Sequence, residues 1–185
     1  DLSDNPVSDL SSISHLTALQ HLSHWCDEIS DLSPLSANTQ LKKLWLLSEK
    51  IIDLTPLAPL SKLKSLSIAN RNGVSSLEPL RTLSSLETLD VGIGHISDLS
   101  PLLDLHNLNK LEISSDQLHD LTPLINLDKL KHLAIEAEQL SNITPLHALS
   151  NLHTLNISSP ALQDLSSLAE LRILNELCIK THSID

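Results

Sequence analysis

The feature that most constrains this chain is a returning phrase, Ile-x-Asp-Leu-x-Pro-Leu, complete from Ile29, Ile51 and Ile96. With small changes it recurs from Val7, Val74, Leu118, Leu140 and Leu162. Successive starts lie 22 residues apart, except for one interval of 23 between Ile51 and Val74. A fixed period of this length marks a solenoid, in which each repeat cannot bury its apolar side alone but stacked neighbours can. The expected organisation is a single domain, 1–185, with full repeats starting at Val7, Ile29, Ile51, Val74, Ile96, Leu118, Leu140 and Leu162, and partial repeats at both ends. Both ends stop in mid-repeat without a polar cap, so either a longer natural solenoid or caps hidden at the ends are expected.

Numbered from its first apolar residue, each repeat is apolar at positions 1, 4, 7, 10, 13, 16 and 18. Across all eight repeats only His24 and Asn38 break that pattern. Positions 16 and 18 alternate with polar neighbours, as in Leu111 and Ile113, which predicts a short strand. Each strand is reached by the same return path, so successive strands should run parallel. Five repeats carry Ser-Pro or Thr-Pro at positions 5 and 6, for example Ser33-Pro34 and Thr122-Pro123. A hydroxyl before a proline predicts a short helix of a turn or two. The hydroxyl would cap free N–H groups, and proline at the first helical position lacks a donor that would have no partner there. Six repeats add an acid at position 3 (Asp9, Asp31, Asp53, Asp98, Asp120 and Asp164), expected to share the capping or to favour the helix start electrostatically.

The pattern Leu108-x-x-Leu111-x-Ile113-x-x-Asp116-x-Leu118 resembles the leucine-rich repeat, and its 22-residue length and Asp-Leu-Thr-Pro-Leu phrase are similar to the bacterial internalin-type subclass. The resemblance implies an α/β fold: a right-handed solenoid with parallel strands on its concave face and short helices or 3-10 turns on its convex face. It also implies that the concave face grips another protein. One departure stands out. The family usually carries Asn at position 21, whose amide both donates to and accepts from neighbouring backbone. Asn5 and Asn72 keep it, but Asp27, Glu49, Gly94, Asp116, Glu138, Pro160 and His182 do not. An ionised carboxylate only accepts, so the usual bridging ladder is not expected here.

With the strands so placed, positions 15, 17 and 19 face the concave side. Trp25 and Trp45 fall there on adjacent strands, with Leu47 beside Trp25 and with Lys43 and His21 around them. Exposed Trp in a small apolar cluster is the usual anchor of an interface, although the same patch would also suit packing against a cap. Further along, Asp90, Glu112 and Glu136 step across three consecutive repeats as an acidic patch, for which solvated surface is the plainer reading. Arg71, on the Asn-Gly bulge that carries the extra residue, fits either a partner contact or a tolerated insertion.

The net charge of −11 argues against a nucleic-acid or anionic-membrane binder. No apolar run is long enough to span a bilayer. The ten His scatter over the frame, and His24 with Cys26 falls short of the three or four ligands a metal needs, so neither metal nor cofactor is expected. Cys26 and Cys178 lie seven strands apart, over ~30 Å, too far to bridge. Two free thiols lean towards a reducing compartment, whereas the resemblance implies secretion or the bacterial cell surface, so localisation stays open. Asn142-Ile-Thr144 and Asn156-Ile-Ser158 match the glycosylation acceptor pattern, common by chance. With three Gly and no Cys-x-x-Cys or His-Glu-x-x-His, the chain lacks a catalytic signature. The expectation is a monomeric, non-catalytic module that recognises another protein. The alternative is a sensor or regulatory segment of a larger intracellular protein, such as a nucleotide-switch ATPase or a phosphatase regulator.

Overall fold

The computed structural model describes residues 9–25, 28–69, 74–92 and 94–181. Its eight strands are β1 (His21–Trp25), β2 (Lys43–Leu47), β3 (Ser65–Ala69), β4 (Thr88–Gly92), β5 (Lys110–Ser114), β6 (His132–Glu136), β7 (Thr154–Ser158) and β8 (Glu176–Lys180). They form one sheet in chain order, and every neighbouring pair is parallel. Each strand covers positions 15 to 19 of its repeat, and like positions face each other throughout. Register holds even across the 23-residue interval, where Ser65 pairs with Thr88 and Ala69 with Gly92. The added residue therefore leaves the strands untouched.

The return path is built on a period of three. Positions 4, 7, 10 and 13 are leucines in most repeats, and each donates its N–H to the carbonyl of the one before. In the third repeat Leu57 bonds to Leu54, Leu60 to Leu57 and Leu63 to Leu60, at 2.9–3.0 Å. In the last, Leu168, Leu171 and Leu174 extend the same series from Leu165. Three residues per turn is the 3-10 helix, in which side chains three apart eclipse one another. In the inner repeats these positions therefore point into the core, whereas Leu16 and Leu165 in the end repeats are exposed. Each described repeat accordingly carries a 3-10 turn of three to five residues, such as Thr55–Leu57 or Thr144–Ala148, where a helix of a turn or two was one expectation. Pro falls in the first two positions of six of these turns.

The capping differs from expectation. No residue preceding a 3-10 turn makes a side-chain cap, and the position-5 hydroxyl is not a cap either. It is the position-3 carboxylate that caps. Oδ1 of Asp9, Asp31, Asp53, Asp98, Asp120 and Asp164 accepts the N–H two residues on at 2.7–2.8 Å. Asn142 does the same for Thr144 at 2.9 Å. The hydroxyls of Ser11, Ser100 and Ser166 donate to the same carboxylates.

The missing position-21 amide has a substitute one residue earlier. Ser48, Ser115 and Ser159, at position 20, are buried. Each donates its Oγ–H to the carbonyl of the first residue of its own repeat: Ser48 to Ile29 at 2.6 Å, Ser115 to Ile96 at 2.7 Å and Ser159 to Leu140 at 2.8 Å. Oγ of Ser48 and Ser115 also accepts the N–H of Lys50 and Gln117. A hydroxyl donates and accepts, which a carboxylate at position 21 cannot do. In these three repeats a shorter side chain from the adjacent position thus supplies a backbone bridge of its own.

The core is a continuous aliphatic column between sheet and 3-10 turns, with its leucines, isoleucines and valines almost wholly buried. Both polar exceptions sit inside it. His24 is fully buried in β1. Asn38 donates both amide hydrogens into the preceding repeat, to the carbonyls of Ile13 at 3.1 Å and Leu16 at 2.9 Å. Of the repeat starts, Val7 lies outside the described residues.

Candidate functional site

A sheet of eight parallel strands offers one row of outward side chains at positions 15, 17 and 19, and this row forms the concave face. Backbone bonds on both sides fix β2 to β7, and on one side β1 and β8, so the side chains of the inner strands project from a rigid surface. Most are polar and partly covered. The β2 strand shares the alternating burial of β3 to β7 but exposes all three of its outward residues, Lys43, Trp45 and Leu47. Trp45 is 45% exposed and Leu47 41% exposed, on a face that elsewhere presents mainly Ser, Thr and charged groups. The Trp45 indole N–H points to Ser65 Oγ on β3, at a long 3.4 Å.

The register places the remaining candidates around it. His21, exposed, opens β1 opposite Lys43. Trp25 ends β1 opposite Leu47, while Trp45 faces Ser23, so the two tryptophans sit diagonally rather than side by side. The Trp25 side chain lies outside the described residues, as do Cys26 and Arg71.

Past β3 the face changes character. A groove of about 520 Å³ runs over β4–β8, lined among others by Asp90, Glu112, Glu136, Asn156, Cys178 and Lys180. The sheet brings all three predicted acids to one groove. Asp90 and Glu112 are direct partners across β4 and β5, and Glu136 is offset by two residues on β6. They are not equivalent. Lys110 pairs with Glu112 at 2.8 Å. Asp90 is half-buried and accepts a hydrogen bond from Ser67 Oγ at 2.9 Å. Burial pushes its carboxyl above the usual range, the Ser67 bond pulls it back, and Glu112 adds to the rise. Glu136 is exposed and accepts from Ser114 at 3.3 Å.

A cationic edge went unrecognised in the sequence. Position 14 precedes each strand but already belongs to the hydrogen-bonded ladder: the N–H of Lys64 donates to the carbonyl of Lys42 at 2.8 Å. Lys42 and Lys64 thereby line the rim of β2 and β3, with Lys43 following Lys42 in the chain and Lys62 two residues before Lys64, and Lys129 and Lys131 repeat the same positions before β6. Their signal is a lysine recurrence at positions 12 and 14, outside the alternating positions that mark the strand face. Among the described residues no group of His, Cys, Asp and Glu could hold a metal ion. No helix among them is long and apolar enough to cross a membrane.

No protein-family profile matches the chain, and no curated protein matches it in sequence. Solved structures do. An internalin (inlF) of Listeria monocytogenes is 29% identical with a TM-score of 0.72, covering 97% of this chain and 59% of its own. Internalin C2 (inlC2) of the same organism is 29% identical with a TM-score of 0.75, covering 95% of this chain and 77% of its own. The leucine-rich-repeat protein LIC12759 of Leptospira interrogans has a TM-score of 0.78 at 19% identity, over 98% of this chain and 54% of its own, a likeness of fold. The chain thus spans about three fifths of the inlF structure. Eight parallel strands, 3-10 return turns and these likenesses agree: the chain is a leucine-rich-repeat solenoid protein that resembles the Listeria internalins over nearly its whole length.

Proposed function

We propose that this chain is a non-catalytic recognition module, acting as a monomer, that binds another protein through the concave face of its sheet. Trp25, Trp45 and Leu47 are the anchors in this reading, with Lys43 and His21 around them and Asp90, Glu112 and Glu136 along the groove. The observation that carries it is the exposure of Trp45 and Leu47 on a rigid, otherwise polar face. Large apolar groups left in water at the centre of a preformed surface gain most when a partner covers them. A surface fixed by backbone bonds also loses little conformational freedom on binding.

The test is a partner screen with the folded chain beside a Trp45→Ala/Leu47→Ser variant. Both positions are exposed, so the variant should keep its far-UV spectrum and melting temperature. Loss of about 2 kcal/mol or more of binding, some thirtyfold, is expected from removing a central aromatic anchor with its neighbour. A partner bound equally well by both proteins would exclude these anchors.

A further inference from the structure

The rim of β2 and β3 concentrates charge of one sign in a protein whose net charge is −11. Lys42, Lys43, Lys62 and Lys64 fall within two consecutive repeats, about 5 Å apart from strand to strand. The chemistry of their partners is the telling detail. Lys42 Nζ donates to Gln20 Oε1 at 2.9 Å, and Lys62 Nζ donates to Gln40 Oε1 at 2.6 Å. Both acceptors are neutral amides one repeat back. They hold the ammonium groups in place without cancelling their charge. Only Lys64 meets a carboxylate, Glu87 at 2.6 Å. Lys43 is exposed at the first outward position of β2, two residues from Trp45. Four cations, one of them neutralised, thus border the exposed Trp45 and Leu47.

From β4 onward the outward row carries Asp90, Glu112 and Glu136, of which Glu112 is paired with Lys110. A uniform polyanion laid across the face would gain at one end and be repelled at the other. A protein segment can vary its charge along its length and supply an apolar side chain as well. Resting on the recognition reading above, we propose that the β1–β3 end of the concave face docks an acidic protein segment bearing an exposed apolar side chain. Its carboxylates meet Lys42, Lys43 and Lys62, and its apolar group covers Trp45 and Leu47. The acidic part of the segment then lies over β1–β3.

The experiment is selection of a random 12-residue peptide library, displayed on phage, against the full chain. Selected peptides are expected to carry net negative charge and at least one large apolar residue. As synthetic peptides they should bind about tenfold more weakly when salt rises from about 0.05 to 0.5 M. Binding should drop about tenfold or more in Lys43→Glu/Lys62→Glu, less in Lys43→Gln/Lys62→Gln, and at least tenfold in Trp45→Ala. Neutral or basic selected peptides, or acidic ones indifferent to both lysine variants, would overturn the inference. So would a sulfated oligosaccharide that binds more tightly than the selected peptides and does not need Trp45. If basic peptides are selected and lose binding in Glu112→Lys/Glu136→Lys, this inference fails while concave-face recognition stands. Peptides that ignore every one of these substitutions would remove both.

Discussion

Single residues in this wall do work that their type alone does not announce. Asp90 is half-buried on the concave face and its carboxyl is raised above the ordinary range, chiefly by burial. Since the folded value lies above the unfolded one, its contribution is favourable at low pH and is lost as pH rises through the folded value. Asp90→Asn should therefore raise the melting temperature at pH 7, with the gain shrinking towards acid as wild-type Asp90 takes up its proton. The amide oxygen can still accept from Ser67, so the substitution isolates the charge. A melting series by circular dichroism from pH 4 to pH 8 checks it, and equal melting points at pH 7 would count against a desolvated carboxylate. A raised carboxyl in a groove that otherwise could be Ser or Thr is the kind of local cost that binding faces carry. Asn38 illustrates the opposite situation. Its amide stands where other repeats place an apolar residue and donates to two carbonyls of the preceding repeat, while its Oδ1 is buried without a hydrogen-bond partner, so the site satisfies only the donor half of the amide.

At the scale of the repeat, a position-20 serine ties the strand end to the repeat start in the second, fifth and seventh repeats. The sixth repeat lacks it, carrying buried Ala137 in that place. Ala137→Ser should restore the bond to the carbonyl of Leu118 and add about 1 kcal/mol. Ser115→Ala should remove one and cost about 1–3 kcal/mol, since Gln117 N–H and the Ile96 carbonyl lose their shared partner. Urea unfolding of the two variants decides the matter, and opposite signs are the expected outcome. Much of the repeat was legible beforehand because leucines at fixed positions report burial directly: period, strand positions, parallel pairing and the inward set all follow from Leu22 to Leu177. The 3-10 turn was equally written in leucines spaced by three, although a helical turn and a 3-10 turn share that start. The serine bridge was not legible, because Ser48, Ser115 and Ser159 look like ordinary loop residues until the backbone brings each carbonyl within reach. The lysine rim was missed for a related reason. Attention to positions 15, 17 and 19 excludes positions 12 and 14, which the ladder nonetheless lines up.

For the whole molecule, the caps repeat so often that they set its response to acid. Hydrogen bonds from the hydroxyl and N–H of Ser11, Ser33, Thr55 and Thr122 hold Asp9, Asp31, Asp53 and Asp120 below the usual carboxylate range, and backbone then hydroxyl bonds from Ser166 do so for Asp164. A depressed folded value gives stability that is present above the unfolded value and lost as pH falls through the folded one. Because these sites are alike, their losses should coincide as pH falls below the usual carboxylate range. Asp31→Asn/Asp53→Asn/Asp120→Asn/Asp164→Asn should flatten that limb while leaving neutral stability nearly unchanged. Asn142 already shows that an amide oxygen accepts the same N–H. An acid titration followed by circular dichroism reads this directly, and an unchanged limb would place the acid sensitivity elsewhere.

The unbroken pairing of β3 with β4 across the longer interval carries a final implication. A corner of the coil that absorbs one surplus residue without shifting a single rung is a place where chain length is free to drift. Descendants of this sequence could enlarge that corner into a sizeable protrusion while the binding wall keeps its alignment. Evolution of reach and evolution of the gripping surface are thereby uncoupled.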